Sequence, residues 1–401
     1  MNEHDRNLVV MMLKKQSHYI QTDLLIILLM FISVSLVAIY NAQQLEQYIG
    51  ENFALKQLVW FSVGILILCA IQFVDLEQLY KASIYIFGLG VVILVVLWLS
   101  PSSIAKTING AKSWFTGLPG FSLQPSEFTK IALILFLAKI ISRHKEKYIK
   151  SSIQSDIYLL TKICVATALP IIFTIIQPDL GTSLVYVFIA GVLIILSGID
   201  WKVLATIIVG GGALGAAIIA LVVNFPDLAQ ELIGIKPYQI NRVLIWFDPS
   251  IQGNDTFHID RSMLAVGSGQ LFGKGLNGIQ VHLPEAHTDF VFSIIGESFG
   301  FIGCSLVIFL YFILFYKLVT LGIKISEFSI FGAYICFGFM SLLLIHTFQN
   351  IGMTIGIMPI TGIPLLLISY GGSSILSTMI GYGLVYRVAV EYSIQNDYLF
   401  K

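Results

Sequence analysis

Hydrophobic positions dominate this chain in long blocks, and polar positions fall mostly between the blocks rather than alternating within them. Runs such as 24–41 and 181–199 show neither the two-residue alternation of a half-buried strand nor the single apolar stripe of a surface helix. A helix needs about 20 mostly apolar residues to cross ~30 Å of hydrocarbon, and about ten runs here approach that length. They are 24–41, 57–74, 82–99, 126–142, 157–176, 181–199, 202–224, 289–316, 329–350 and 364–386. The pattern predicts an all-α, polytopic membrane protein built as one integral membrane domain over 1–401. The first run follows a polar stretch and lacks a small-residue cleavage site, so it reads as a retained span.

Composition agrees. Of 401 residues 57% are hydrophobic and 11% charged, against about 25% charged in ordinary soluble domains. Net charge is zero without a basic tract, which argues against nucleic acid as a partner. Cys69, Cys164, Cys304 and Cys336 all fall inside apolar runs without a CxxC spacing, as expected of small core residues. The Gly211-x-x-x-Gly215 spacing in "GGGALG" predicts a close helix contact.

Positive charge sets the expected orientation. Arg6, Lys14 and Lys15 precede the first span, and "RHKEKYIK" (143–150) joins spans four and five. With these inside, Lys202, Lys317, Lys324 and Arg387 also fall inside, and both termini are cytoplasmic. The long connections 101–127 and 225–288 then face outward, as do "QPDLGTS" (177–183) and "QNIGMTIGIMPITGIP" (349–364). The segment 225–288 becomes a large extracytoplasmic loop between spans seven and eight. Loops on one face of a rigid scaffold commonly carry function, so the chemistry is expected outside.

Two polar constellations need explanation. In the eighth span, Asp289, Ser293, Gly296, Glu297, Gly300 and Gly303 fall at helical offsets that put them on one face. Carboxylates there belong in a bundle interior or aqueous cavity rather than against lipid. Asp289 could equally serve as a helix cap. The fourth span opens with "QPSEFTK", where Glu127 and Lys130 share a face. That pair reads either as a local ion pair or as part of a cavity for a phosphate-bearing ligand. Lys112, Arg242 and Arg261 in the outer loops are further phosphate candidates, and Glu285 is a candidate cavity residue. His282, Glu285, His287 and Asp289 are close in sequence but lack a zinc-motif spacing. A divalent cation, magnesium or manganese, held by a carboxylate and ligand phosphates fits better, although no motif requires one. No Walker loop or GxGxxG follows a predicted strand, and no Ser-x-x-Lys or Gly-x-Ser-x-Gly arrangement proposes a serine nucleophile.

Seven stretches resemble the shape, elongation, division and sporulation (SEDS) family, the family of RodA and FtsW. They are "NGAKSW" (109–114), "QPSEFTK" (124–130), "QPDLGTS" (177–183), "NRVLIWFDPS" (241–250), "GSGQLFGKGL" (267–276), "LPEAHTDFVFSIIGE" (283–297) and "NIGMTIGIMPITGIPLLLISYGGSS" (350–374). "GMTIGIMPITGIP" is similar to the RodA branch. Two departures are Ser298 where the family commonly has a second glutamate, and Gln270 where it commonly has glycine.

The resemblance implies a ten-span, inverting peptidoglycan glycosyltransferase that polymerises lipid II into glycan strands for cell-wall elongation and cell shape. It implies a class B penicillin-binding protein as partner, with lipid II, the nascent glycan strand and membrane lipids as the other contacts. It also implies Asp289 as the catalytic carboxylate, and Glu127 and Lys130 as the charged pair of the substrate cavity. A general base at Asp289 must be ionised, so a wet outer edge is the expected setting. Lys112, Lys130, Arg242 and Arg261 are candidates to hold the leaving diphosphate. Glu285, Ser293 and Glu297 join them as substrate-binding candidates. A lipid II flippase is the alternative reading, favoured by glycine-rich helices and the broken "GIMPITGIP" backbone, and a scaffold that only recruits its partner is a third.

Overall fold

The computed structural model describes residues 19–107, 111–118, 121–148, 152–233, 237–247 and 254–399. Arg6, Lys14 and Lys15, the start of "NGAKSW" and the end of "NRVLIWFDPS" therefore lie outside the described residues. The order is α1 (Thr22–Ala42), α2 (Phe53–Ile71), α3 (Leu76–Leu99), a hairpin of β1 (Phe115–Leu118) and β2 (Phe121–Leu123), α4 (Pro125–Lys147), α5 (Ile153–Ile176), α6 (Leu180–Leu196) and α7 (Trp201–Asn224). Then follow α8 (Pro226–Ile233), α9 (Pro237–Phe247), α10 (Asn254–Ser268), α11 (Val291–Ile325), α12 (Ile330–Thr354) and α13 (Gly372–Leu399).

Eight of these helices are long and apolar enough to cross a membrane among the described residues. The shorter apolar helix α6 and the charged helix α4 fall where the two remaining spans were expected. Helices dominate because hydrocarbon offers no partner for a backbone N–H or C=O, and a helix satisfies both internally.

Burial sorts the spans. α12 and α13 are 78% buried over their apolar windows, whereas α7 is 6% buried. α4 is buried along most of its length, which is where Glu127 and Lys130 must be if neither is to meet lipid. α12 packs on α4, α6 and α11, and α13 packs on α2 and α4, around one continuous apolar core. Among the described residues the glycines of α7 have nothing within 4 Å of an added Cβ, so the close contact that the Gly211-x-x-x-Gly215 spacing permits is not made there. That helix stands at the periphery. Cys304 and Cys336 are buried as expected, but Cys69 and Cys164 are exposed on outward helix faces.

The expected eighth span departs from its pattern in two ways. α11 begins at Val291, and Gly300 has non-helical angles (φ 61, ψ −157) that break it. The break is bridged by the "GSGQLFGKGL" segment. Phe301 and Ile302 N–H donate to Gln270 and Leu271 carbonyls, while Glu297 and Ser298 carbonyls accept from Lys274 and Gly275 N–H. These bonds replace the helical ones lost at the break. Gly273, at φ +79, approaches so closely that a Cβ there would collide with the Ser298 carbonyl.

The tenth span also starts later than expected, at Gly372 rather than 364. Pro359 and Pro364 bracket an irregular stretch whose carbonyls are taken by side chains of α12. Proline cannot extend the helix, so the chain runs as an open segment through the bundle's polar end.

Candidate functional site

Asp289 lies just outside α11, in a turn fastened from several directions. Thr288 and Phe290 N–H donate to the Glu285 carbonyl. Ser369 Oγ donates to the Thr288 carbonyl at 2.7 Å, and Tyr370 N–H donates to the His287 carbonyl at 2.8 Å. Asn350 Nδ2 donates to the Asp289 carbonyl at 2.7 Å and to the Ile363 carbonyl at 2.9 Å. His287 stacks on Phe53 with ring centroids 4.3 Å apart, and its Nδ1 lies 2.9 Å from the Tyr48 hydroxyl. Burial pushes His287 below the usual histidine range, against the pull of Glu285. The Tyr48 oxygen also accepts the Ala286 N–H. His287 is thus a loop-shaping residue.

The capping alternative for Asp289 falls away. The N-cap position of α11 is Phe290, and no side chain caps it. The Asp289 carboxylate instead faces Gly362, where an added Cβ would sit 3.5 Å from Oδ2. Its pKa is raised to about 7, first by burial and then by the Glu285 charge, with Arg242 acting in the opposite direction. The wet, fully ionised edge expected from sequence is corrected here. The group is half-buried with Gly362 beside it, and burial brings its pKa near neutrality.

Behind Gly362 lies a small polar cavity of about 50 Å³, lined among others by Gln124, Glu127, Lys130, Asp179, His346 and Gly362. Two long-separated motifs meet there. Gly181 of "QPDLGTS" abuts the Thr361 carbonyl, and Asp179 accepts from Thr182 N–H, Thr182 Oγ1 and Gln124 Nε2. Lys130 Nζ donates to Glu127 Oε1 at 2.7 Å, and both side chains are at most 5% exposed. The ion pair and the phosphate cavity of the sequence reading are therefore not equivalent. The Lys130 charge is matched by Glu127, and Asp179 adds a further carboxylate, so this cavity is a poor host for a diphosphate.

The other expected site residues separate. Lys112 Nζ donates to the Trp98 carbonyl at 3.0 Å and to the Ser100 carbonyl, closing the end of α3. Arg261 lies over the Phe257 ring at 5.1 Å. Ser293 is fully buried, its hydroxyl 2.7 Å from Ser262, which donates to the Thr354 carbonyl and joins three helices. Glu297 is also fully buried. Its Oε1 takes Lys274 Nζ at 2.6 Å and the N–H groups of Gln280 and Val281. The expected face from Asp289 to Glu297 is accordingly split: Asp289 lies before the helix, while Ser293 and Glu297 tie it to neighbouring segments. Asp289 does interact electrically with Glu285 and with Arg242.

Asn350, His346, Asp179 and Gly362 were not singled out from sequence, although Asn350, Asp179 and Gly362 stand in the quoted motifs. Among the described residues no group of three or more histidine, cysteine or acidic side chains could hold a metal.

A polytopic helical bundle with a half-buried carboxylate at one end of a polar cleft defines the class. The chain belongs to the cell cycle protein family of FtsW, RodA and SpoVE, whose pattern it matches over residues 15–394. It is 31% identical to peptidoglycan glycosyltransferase RodA of Treponema pallidum, covering 91% of this chain and 96% of that one. It is 33% identical to stage V sporulation protein E of Bacillus subtilis, again over 91% and 96%. Among solved structures it is similar to a chain of a peptidoglycan synthase complex that coordinates polymerization and crosslinking. That match has a TM-score of 0.73 at 25% identity, over 93% of this chain and 98% of that one. Rod shape determining protein RodA of Thermus thermophilus matches with a TM-score of 0.64 at 26% identity, over 92% and 95%.

Proposed function

We propose that this chain is an inverting peptidoglycan glycosyltransferase that polymerises lipid II into glycan strands, with Asp289 as general base. The observation that carries the reading is the setting of Asp289. Its backbone is clamped, its side chain serves no cap, and its pKa stands at about 7. A base is most effective when its pKa lies near working pH, and such a group contributes about 10²–10⁴-fold. The acceptor 4-hydroxyl attacks the donor anomeric carbon, its proton passes to Asp289, and the bond to the diphosphate breaks with inversion. Arg242, the cation coupled to Asp289, is suited to the charge that develops on the leaving group. Glu285 raises the basicity of Asp289 at the mouth of the same cleft.

A divalent cation would enter with the diphosphate, since magnesium usually takes one or two carboxylates and completes its shell with phosphate and water. The basic loops expected inside support an extracytoplasmic cleft, where a class B penicillin-binding partner would crosslink the emerging strand. Likeness to a chain from a synthase complex supports that partnership.

Purified chain and partner, given lipid II and a divalent ion, should yield glycan ladders on a gel. Asp289→Asn should abolish them while retaining the fold. Full activity in that variant would remove Asp289 as base. Lipid II translocation in proteoliposomes without polymer would instead establish the flippase.

A further inference from the structure

Lys130 Nζ lies 3.1 Å from His346 Nε2, and His346 Nδ1 lies 2.9 Å from the Pro364 carbonyl. An ammonium has only hydrogens to offer, so Nε2 must accept. A carbonyl has only lone pairs, so Nδ1 must carry the ring proton and donate. The two contacts together select one neutral tautomer, and the imidazole is 1% exposed. A filler side chain would need neither partner.

One turn further along α12, Asn350 holds the carbonyls of Ile363 and Asp289. His346 and Asn350, four residues apart, share a helix face. That face grips consecutive carbonyls, Ile363 and Pro364, of the segment carrying Gly362. Gly362 in turn forms the wall against Asp289 Oδ2. The buried Glu127–Lys130 pair is thereby joined through His346 to the wall of the cleft.

We infer that His346 is a positioning residue for the glycosyl transfer, tying the Glu127–Lys130 pair to the Pro364 carbonyl so that Gly362 stays against Asp289. This rests on the reading of Asp289 as the base. The tie works only if both ends hold. Asn can present its amide N–H near the Nδ1 position but cannot reach Lys130. Gln can present an oxygen near Nε2 but gives up the Pro364 contact. Each conservative variant therefore keeps one half of the link.

The test uses full-length chain in nanodiscs with its penicillin-binding partner and lipid II, comparing His346→Asn and His346→Gln with the parent. Displacement of a reacting geometry by about 1 Å can cost 100-fold, so each variant should lose at least ~10-fold in kcat with KM for lipid II little changed. Hydrogen exchange should accelerate across 359–371 in both, at a parent-like melting temperature. Parent-like kcat in either variant would overturn the inference. So would a loss of activity that follows loss of thermal stability, or one with unchanged exchange across 359–371. Failure of the underlying reading would show separately, as polymerisation surviving in Asp289→Asn.

Discussion

Gly362 lies against Asp289: a methyl group there would stand in van der Waals contact, 3.5 Å from Oδ2. The residue also sits at φ +71, a conformation that costs other residues roughly 1–2 kcal/mol. Gly362→Ala should therefore shift the 359–364 wall and dry the carboxylate. Polymerisation should fall about tenfold or more with a modest drop in melting temperature. Glycan synthesis per mole of folded protein measures this directly.

Activity should depend on pH through Asp289. With a pKa of about 7, the base is lost below neutrality, so kcat/KM should fall close to tenfold per pH unit on the acid side. Glu285 raises the Asp289 pKa and Arg242 lowers it. Glu285→Gln should move the acid limb to lower pH, and Arg242→Gln should move it higher while also slowing the reaction. Profiles that superimpose on the parent's would separate the limb from this cluster.

Stability carries the opposite signature. Unfolding returns Asp289 from about 7 to its usual 3.8, so between those values the folded chain binds the proton more tightly. Stability contributed by this group falls as pH rises through that window. Asp289→Asn, which is never charged, should melt higher than the parent at pH 7.5 and close to it near pH 4. Thermal scans in one detergent at both pH values check the sign.

Glu297 and Lys274 anchor the loop that bridges the Gly300 break. Lys274→Met leaves a buried carboxylate without its cation, a change that typically costs 3–5 kcal/mol. Glu297→Gln should be milder, because an amide oxygen still accepts from Gln280 and Val281 N–H. A melting temperature lowered more by Lys274→Met than by Glu297→Gln is expected, with activity following the folded fraction in both.

The ten spans were legible because lipid imposes a simple rule. Any segment that crosses hydrocarbon must be apolar and must close its own backbone hydrogen bonds. α4 shows the limit of that rule. Its first turn carries two charges, and these identify it as central, yet the sequence left an ion pair and a phosphate site equally open. The structure separates them, since Lys130 is held between Glu127 and His346. Asp289 was visible as an anomaly before an apolar run, and its motif resembled a family element. Its neighbours were harder to see. Gly362, Asn350 and His346 lie more than fifty residues downstream, and no local spacing joins them to the turn at 285–290.

By itself, the chain's pattern of apolar blocks and displaced charges determined a multi-span helical protein with a carboxylate, Asp289, at the start of one apolar run. Tertiary structure decided what surrounds that carboxylate. The helical stripe from Asp289 to Glu297 assumed an unbroken ladder, and Gly300 breaks it because the 269–275 loop supplies replacement hydrogen bonds. The pKa of Asp289 likewise depends on its burial and on charges at Glu285 and Arg242. Burial and Coulomb energy are set by distance in space, which the order of residues along a chain does not specify.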